Sequence, residues 1–234
     1  MRMDYNILMK KDNYYLQRNI QDLEKIEELL LELPPFCADY FLGIEAQTSC
    51  QTRLKYAYDL RIFFDFLCKR RFKNDEVLDL TLEHLQQVNH HDIELFLSYL
   101  SHYTFRDKRL SCNERAKARK LSAVRAMFKY FFNRGMIDVD NSAKVSTPKL
   151  HEKEIIRLNS EEVSDLIEVA ESGNGLSKHA ISYHSKTRVR DTAILTLFLG
   201  TGIRISELVG LDNTSFDFDE NSFLVTRKGG NQAI

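Results

Sequence analysis

The sequence has few residues that interrupt regular structure and no long apolar run. Its 234 residues include 9 glycines, 3 prolines and no tryptophan. So few chain breakers argue against a β-rich or low-complexity protein. No run approaches the roughly 18 consecutive apolar residues of a membrane helix, and the first residues lack the pattern of a secretory signal. We therefore expect a globular, mainly helical protein of the cytoplasm.

Cysteine is also sparse, and its placement in the sequence argues against a zinc site. The four cysteines are Cys37, Cys50, Cys68 and Cys112. They form no Cys-x-x-Cys pair, and no histidine stands at metal-binding distance from them in the sequence. We predict reduced, buried thiols and no zinc site.

Charge is distributed unevenly, although the formal net charge is only −1. Residues 1–49 have a net charge of −4, residues 50–150 of +7 and residues 151–234 of −4. A basic segment between acidic flanks suggests that one part of the chain contacts a polyanion. On charge alone, a solvated surface on which charges fall by chance is an equally open interpretation.

Apolar residues at helical spacing predict a long helix after Thr48 and Ser49, either of which can cap its first turn. Its buried stripe consists of Leu60, Phe63, Phe64 and Leu67. This helix should end near Arg71, where a polar turn follows.

A second strong helix is predicted at residues 114–134, and its polar face is almost purely cationic. Its apolar side consists of Leu121, Val124, Phe128, Phe131 and Phe132. Another side gathers Arg115, Arg119, Arg125 and Lys129. An ordinary solvated helix face mixes glutamate with lysine, so we favour a helix that contacts phosphates over a solvated face.

The remaining patterns are weaker. They are helices at 15–33 and 36–45, helical pieces starting at Thr81 and Asp92, a basic loop at 106–109, a linker at 138–154, helices at 159–171 and 191–199, a surface loop at 172–185 and a β-hairpin across 216–225. The two first helices are separated by Pro34-Pro35, because proline cannot continue a helix.

One arginine stands among apolar residues in a short predicted helix. Ile203 and Ile205 flank Arg204, and a Thr-Gly break precedes it. A guanidinium is costly to bury without a partner, so Arg204 needs an anion. Its planar fork fits two phosphate oxygens, but an internal ion pair with Glu207 would satisfy it equally. The residues alone leave both interpretations open.

A longer motif surrounds Arg204, and other motifs precede it in a fixed order. The motif is Arg190-Asp191-x-Ala193-Ile194-Leu195-x-Leu197 followed by Thr201-Gly202-x-Arg204-x-Ser206-Glu207-Leu208. It resembles the first signature of the tyrosine recombinases (phage integrase family), in particular the Xer branch. Upstream segments at 49–67, 119–125, 141–149 and 158–162 are similar to the family's core-binding helices, interdomain linker and catalytic-domain opening. The likeness covers about residues 48–231.

The resemblance implies roles for single residues. Arg204 would hold the scissile phosphate, Glu207 would support it, and Lys228, in a hairpin turn similar to the family's, would protonate the departing 5′ oxygen. The family usually has glycine before that lysine, whereas this chain has Arg227. The candidate DNA-binding residues lie on the last core-binding helix: Arg115, Arg119, Lys120, Arg125 and Lys129.

The enzyme implied by the resemblance breaks and rejoins double-stranded DNA through a 3′-phosphotyrosyl bond. Four protomers act on two duplexes, and no metal, ATP or other cofactor is needed because the covalent link conserves the phosphoester energy. The family's nucleophilic tyrosine follows the hairpin, so we expect residues 1–234 by themselves to bind DNA without cleaving it. The expected location is cytoplasmic and nucleoid-associated.

The resemblance also implies a mainly α fold, in which a helical SAM-like core-binding domain precedes an incomplete α+β catalytic domain with a small antiparallel hairpin or sheet. We predict an N-terminal helical appendage at 1–47, the core-binding domain at 48–140, a linker at 141–157 and the first part of the catalytic domain at 158–234.

Two other interpretations stay open. A non-catalytic DNA-binding protein derived from a truncated recombinase would share the basic helix, and the DNA downstream of codon 234 would distinguish it from an enzyme. A helical protein-interaction module would bind its partner equally well without the cations Arg115, Arg119 and Lys129. The recombinase hypothesis instead predicts that their loss weakens DNA binding and its dependence on salt.

Overall fold

A computed structural model describes residues 5–150, 154, 156–227 and 230–234. Lys228, the predicted general acid, lies outside the described residues, as does part of the predicted linker. The chain divides into two compact units, Gln17–Glu152 and Lys153–Ile234 with the first 16 residues. The described part is mainly α-helical with short antiparallel strands, which confirms the predicted fold class. Within it, no helix combines the length and the apolar character that a membrane span requires.

The unit at 17–152 (the helical unit) is built from helices and one short hairpin. Its elements are the later turns of α1 (Tyr5–Leu30), then α2 (Cys37–Gly43), α3 (Cys50–Arg70), α4 (Leu82–Gln87), α5 (His90–Tyr99), β1 (Tyr103–Phe105), β2 (Lys108–Leu110) and α6 (Glu114–Asn133). The two strong predictions, α3 and α6, are confirmed. Each starts where a polar side chain caps it, because Ser49 accepts the Thr52 N–H and Asn113 accepts the Ala116 N–H.

The core of the helical unit is aromatic, and the N-terminal segment contributes to it. Leu29, Leu33 and Tyr40 are buried in the same cluster as the apolar stripes of α3 and α6. The Phe36 ring lies 5.5 Å from the Phe131 ring in an edge-to-face arrangement, which aromatic pairs favour. The segment predicted as an appendage therefore packs into this core from Gln17 onward. The boundary at residue 47 stays a prediction.

The basic loop predicted at 106–109 is part of a β-hairpin: it forms the turn and the start of the second strand. Strands β1 and β2 pair antiparallel, with Thr104 opposite Arg109. The turn residues Arg106 and Asp107 have φ angles of 48° and 61°, the left-handed values that a two-residue turn of type I′ requires. Strands of three residues are too short for an alternating pattern to reveal.

Apart from the first turns of α1, the described residues of the second unit form three α-helices and a small sheet. Its elements are α7 (Ser160–Ser172), α8 (Lys178–Thr201), α9 (Ile205–Val209), β3 (Phe216–Asp217), β4 (Ser222–Arg227) and β5 (Gly230–Ala233). The predicted hairpin is confirmed, with Phe216 opposite Phe223, and β5 extends it to the order β3-β4-β5. Ile203, Phe223 and Val225 form a small core between α9 and the sheet.

The surface loop predicted at 172–185 is wrong for its second half. The connection ends at Ser177, whose side chain accepts the Ala180 N–H and so caps α8. The true turn contains Gly173 and Gly175, with φ angles of 74° and 81°. The early turns of α8 escaped prediction because they have no apolar stripe, which is the main signal of a helix in sequence.

Candidate functional site

Arg204 stands where two helices of the second unit meet. Helix α8 ends at Gly202, whose φ of 65° is left-handed and whose N–H donates to the Phe198 carbonyl at 2.9 Å. This is a common way to end a helix. Ile203 is then buried in the small core, and Arg204 follows as the N-cap of α9 with an extended backbone. Ile203 is therefore anchored in the core, whereas the side chain of the adjacent Arg204 is 73% exposed.

Glu207 holds Arg204 from inside the protein. Its side chain is only 5% exposed. Oε2 accepts the backbone N–H of Arg204 at 3.0 Å, and Oε1 accepts Nη1 of the same residue at 2.9 Å. The backbone hydrogen bond is the main reason why the pKa of Glu207 lies below its ordinary value, and the guanidinium groups of Arg204 and Arg227 lower it further against the effect of burial.

Both interpretations of Arg204 are therefore satisfied at once. The internal ion pair with Glu207 exists, yet the guanidinium reaches solvent. Among the described residues, its Nε and Nη2 groups have no hydrogen-bond partner. Donors of this kind, fixed in orientation and open to solvent, can bind the oxygens of an external anion.

Arg227 is part of this cluster, and sequence analysis assigned it no role. It is the last residue of β4. Its Nε lies 3.2 Å from Glu207 Oε1 and its Nη2 lies 3.5 Å from Oε2. Two arginines around one carboxylate leave a local charge of +1, which matches the single negative charge of a phosphodiester. The unusual arginine at a family glycine position was the signal that could have identified this residue.

The cationic face of α6 is only partly available to an external partner. Arg115 and Lys129 are exposed and form no ion pair with any residue in the described ranges. Arg119 is 47% exposed and is held by the Asp59 carboxylate at 2.5 Å. On the apolar side, four of the five predicted residues are buried, whereas Phe132 is 45% exposed.

Lys120 does not belong to the exposed cations. Its side chain is 6% exposed, and its Nζ donates to Asp59 Oδ1 at 2.8 Å. At 100° per residue, Lys120 lies about 140° around the helix from Arg115, on the side that faces α3. Direct DNA contact by Lys120 stays a prediction, and the enclosure of its ammonium beside a carboxylate argues against it.

Arg125 is engaged with the segment that follows α6. Its Nη1 donates to Thr147 Oγ1 at 2.8 Å and its Nε to the Ser142 carbonyl at 3.4 Å. Its Nη2 donates to the Val145 carbonyl. All three nitrogens thus hold the start of the predicted linker against α6, so the structure places Arg125 in a structural contact and apart from the free cations.

Comparisons with known proteins agree over both units. A family model described as "Phage integrase, N-terminal SAM-like domain" matches residues 39–135, and one described as "Phage integrase family" matches residues 156–234. A "Tyrosine recombinase XerS" of Streptococcus mutans is 31% identical over 89% of this chain and 65% of its own length. A "Tyrosine recombinase XerC" of Caldanaerobacter subterraneus is 30% identical over 86% of this chain and 54% of its own length. The chain thus spans less than two thirds of the length of these relatives.

Proposed function

The chain belongs to the phage integrase family of tyrosine recombinases, and on that premise we propose that the protein is a site-specific DNA recombinase. It would break and rejoin DNA strands through a 3′-phosphotyrosyl intermediate. The observation that carries this proposal is the exposed guanidinium of Arg204, which the buried carboxylate of Glu207 orients. A fixed cation open to solvent is the group that this chemistry requires at the reacting phosphate.

Arg204 stabilises charge at the phosphorus in this proposal. A tyrosine hydroxyl loses its proton to water and its oxygen bonds to phosphorus as the bond from phosphorus to the 5′ oxygen breaks, and the diester keeps one negative charge before and after the step. Negative charge accumulates on the phosphate oxygens in the transition state, where a preoriented guanidinium has its largest effect. Lys228 supplies the proton that the departing 5′ oxygen takes. Glu207 and Arg227 act by positioning Arg204.

The helical unit supplies affinity for duplex DNA. Arg115 and Lys129 are exposed on one face of α6, and at 100° per residue these two residues and Arg119 lie within about 80° of one another around the helix. Contacts of this kind with backbone phosphates hold a protein on DNA independently of sequence. We accordingly assign DNA binding to the domain predicted at 48–140, and the start of the catalytic domain to residues 158–234.

Assembly and location follow from the same proposal. Exchange of strands between two duplexes needs one active site for each strand, so four protomers of the complete enzyme act together on DNA. With double-stranded DNA as the partner, the proposed location is cytoplasmic and nucleoid-associated.

The role of Arg204 is tested by comparing Arg204→Ala with Arg190→Ala. Arg190 is a matched control, since it is 68% exposed and also pairs with an acidic neighbour, Asp191. Loss of one phosphate contact should weaken binding of a DNA duplex by up to about eightfold at 0.1 M salt and reduce the salt slope by about 0.9. Arg190→Ala should change neither value. Equal effects of the two substitutions would contradict a phosphate contact by Arg204.

The activity of residues 1–234 by themselves is tested with a suicide DNA substrate. We propose that these residues bind DNA without cleaving it, because the family resemblance places the nucleophilic tyrosine after the hairpin. No covalent protein–DNA adduct should form, although binding is retained. An adduct formed by the 234-residue chain would refute this part of the proposal and would also exclude the non-catalytic alternative.

A further inference from the structure

The helical unit contains an open groove whose cations the proposed function does not use. The groove has a volume of about 850 Å³ and lies between the ends of α3 and α5 and the β1–β2 hairpin. Lys69, Arg70, His102 and Arg109 line it, and none of its lining residues is acidic. Cationic side chains from two separate elements, α3 and β2, therefore converge on one surface.

The hairpin wall of the groove is fixed in place. The Thr104 carbonyl accepts hydrogen bonds from Tyr99 Oη at 3.0 Å and from Lys69 Nζ at 3.3 Å. Lys69 also donates to Asp65 at 2.7 Å, so its charge is already neutralised. The structural role of Lys69 leaves Arg70 and Arg109 as the exposed arginines of the groove, and neither forms an ion pair within the described chain.

The other face of the hairpin is anchored to the body of the unit. The Arg61 guanidinium lies 5.1 Å from the centre of the Phe105 ring and donates to Glu32 Oε2 at 2.8 Å. Arg106, in the hairpin turn, pairs with the same carboxylate. Because the hairpin is held on both faces, Arg109 can bind a ligand without first ordering its backbone, which favours affinity.

We propose that this groove is a second contact with the DNA backbone, in which Arg70 and Arg109 each bind phosphodiester oxygens. The inference rests on the proposed DNA-binding function and adds to it a surface outside α6. Guanidinium groups bind phosphate oxygens through paired N–H groups. An open groove with no acidic lining residue suits a polyanionic backbone that passes along it, whereas small ligands are held in enclosed and mostly apolar pockets.

The test compares two double substitutions in the full 234-residue chain. Arg70→Ala/Arg109→Ala removes both free arginines of the groove. Lys25→Ala/Lys73→Ala removes the same charge from the helical unit at positions outside the groove and serves as the control. Binding of a 30-base-pair duplex is measured by fluorescence anisotropy from about 50 to 200 mM salt, the range over which phosphate contacts dominate. Far-UV circular dichroism checks that each variant keeps its helix content.

The groove variant should lose at least about tenfold in affinity at 0.1 M salt, and its salt slope should fall by about 2. The control should lose less than about threefold with an unchanged slope, because it removes no phosphate contact. Arg70→Lys/Arg109→Lys should fall between the groove variant and the wild type, since it keeps the charge but loses the paired donors.

Other outcomes separate the two proposals. A wild-type chain that binds DNA with normal salt dependence, beside a groove variant that binds equally well, would overturn the groove and leave the DNA-binding function intact. A wild-type chain without affinity for DNA would overturn both. Inorganic phosphate that shifts the NMR signals of Thr104 and Arg109, together with unchanged duplex binding by the groove variant, would identify a site for a free anion and would overturn the assignment to DNA.

Discussion

Replacement of Asp59 by alanine should destabilise the helical unit by about 3–5 kcal/mol. The Asp59 side chain is 1% exposed and accepts hydrogen bonds from Lys120 on one oxygen and Arg119 on the other. Without it, the Lys120 ammonium would remain buried with no counter-charge, which is among the costliest defects in a protein interior. Arg119 contributes less to this loss, because its half-exposed guanidinium can turn toward water.

Two companion variants separate the charge effect from loss of packing. Lys120→Ala leaves Asp59 paired with Arg119 and should cost only about 1–3 kcal/mol. Asp59→Leu/Lys120→Met replaces both buried charges with apolar side chains of similar size. It should recover most of the stability lost in Asp59→Ala, since a buried ion pair can often be replaced by apolar groups at little cost.

Urea denaturation followed by far-UV circular dichroism measures these differences, because the chain has no tryptophan to report unfolding by fluorescence. Hydrogen exchange of the α3 and α6 amides assigns the loss to the helical unit. A loss below about 1 kcal/mol in Asp59→Ala would refute the reasoning, because a buried unpaired charge costs more than that. The reasoning would also be refuted if the Asp59→Leu/Lys120→Met variant were as unstable as Asp59→Ala.

Three further predictions concern other contacts. A methyl group at Gly43 would overlap the Tyr130 ring, so Gly43→Ala should cost about 1–3 kcal/mol, measured as a lower Tm; an unchanged Tm would contradict the close packing. The pKa of Glu207 is lowered in the folded state, so its contribution to stability is present above the ordinary value of 4.5 and is lost as the pH falls through the folded pKa. Acid titration should therefore show a steeper loss of stability in the wild type than in Glu207→Gln, and parallel curves would exclude this effect. Arg125→Ala should release residues 142–147 from α6 and make them more sensitive to limited proteolysis, whereas unchanged cleavage would mean that other contacts hold the segment.

The sequence by itself determined the features that depend on neighbours a few residues away. The apolar stripes of α3 and α6 and their polar caps are local signals, because a helix repeats every 3.6 residues and its first N–H groups need nearby acceptors. The Arg204–Glu207 pair was foreseen for the same reason, since residues three apart on a helix are neighbours. The motif around Arg204 also indicated the family before any fold was known.

The tertiary structure alone decided which cations are free. Lys120 and its partner Asp59 are 61 residues apart, and Arg227 reaches Glu207 across 20 residues. Helical spacing could place Lys120 on the buried side of α6, but the sequence near Lys120 does not indicate which carboxylate pairs with it. A charged side chain is neutralised or left free by the segment that packs against it. Burial of the shared core brings that segment into place. Such packing between distant segments cannot be predicted from local sequence patterns.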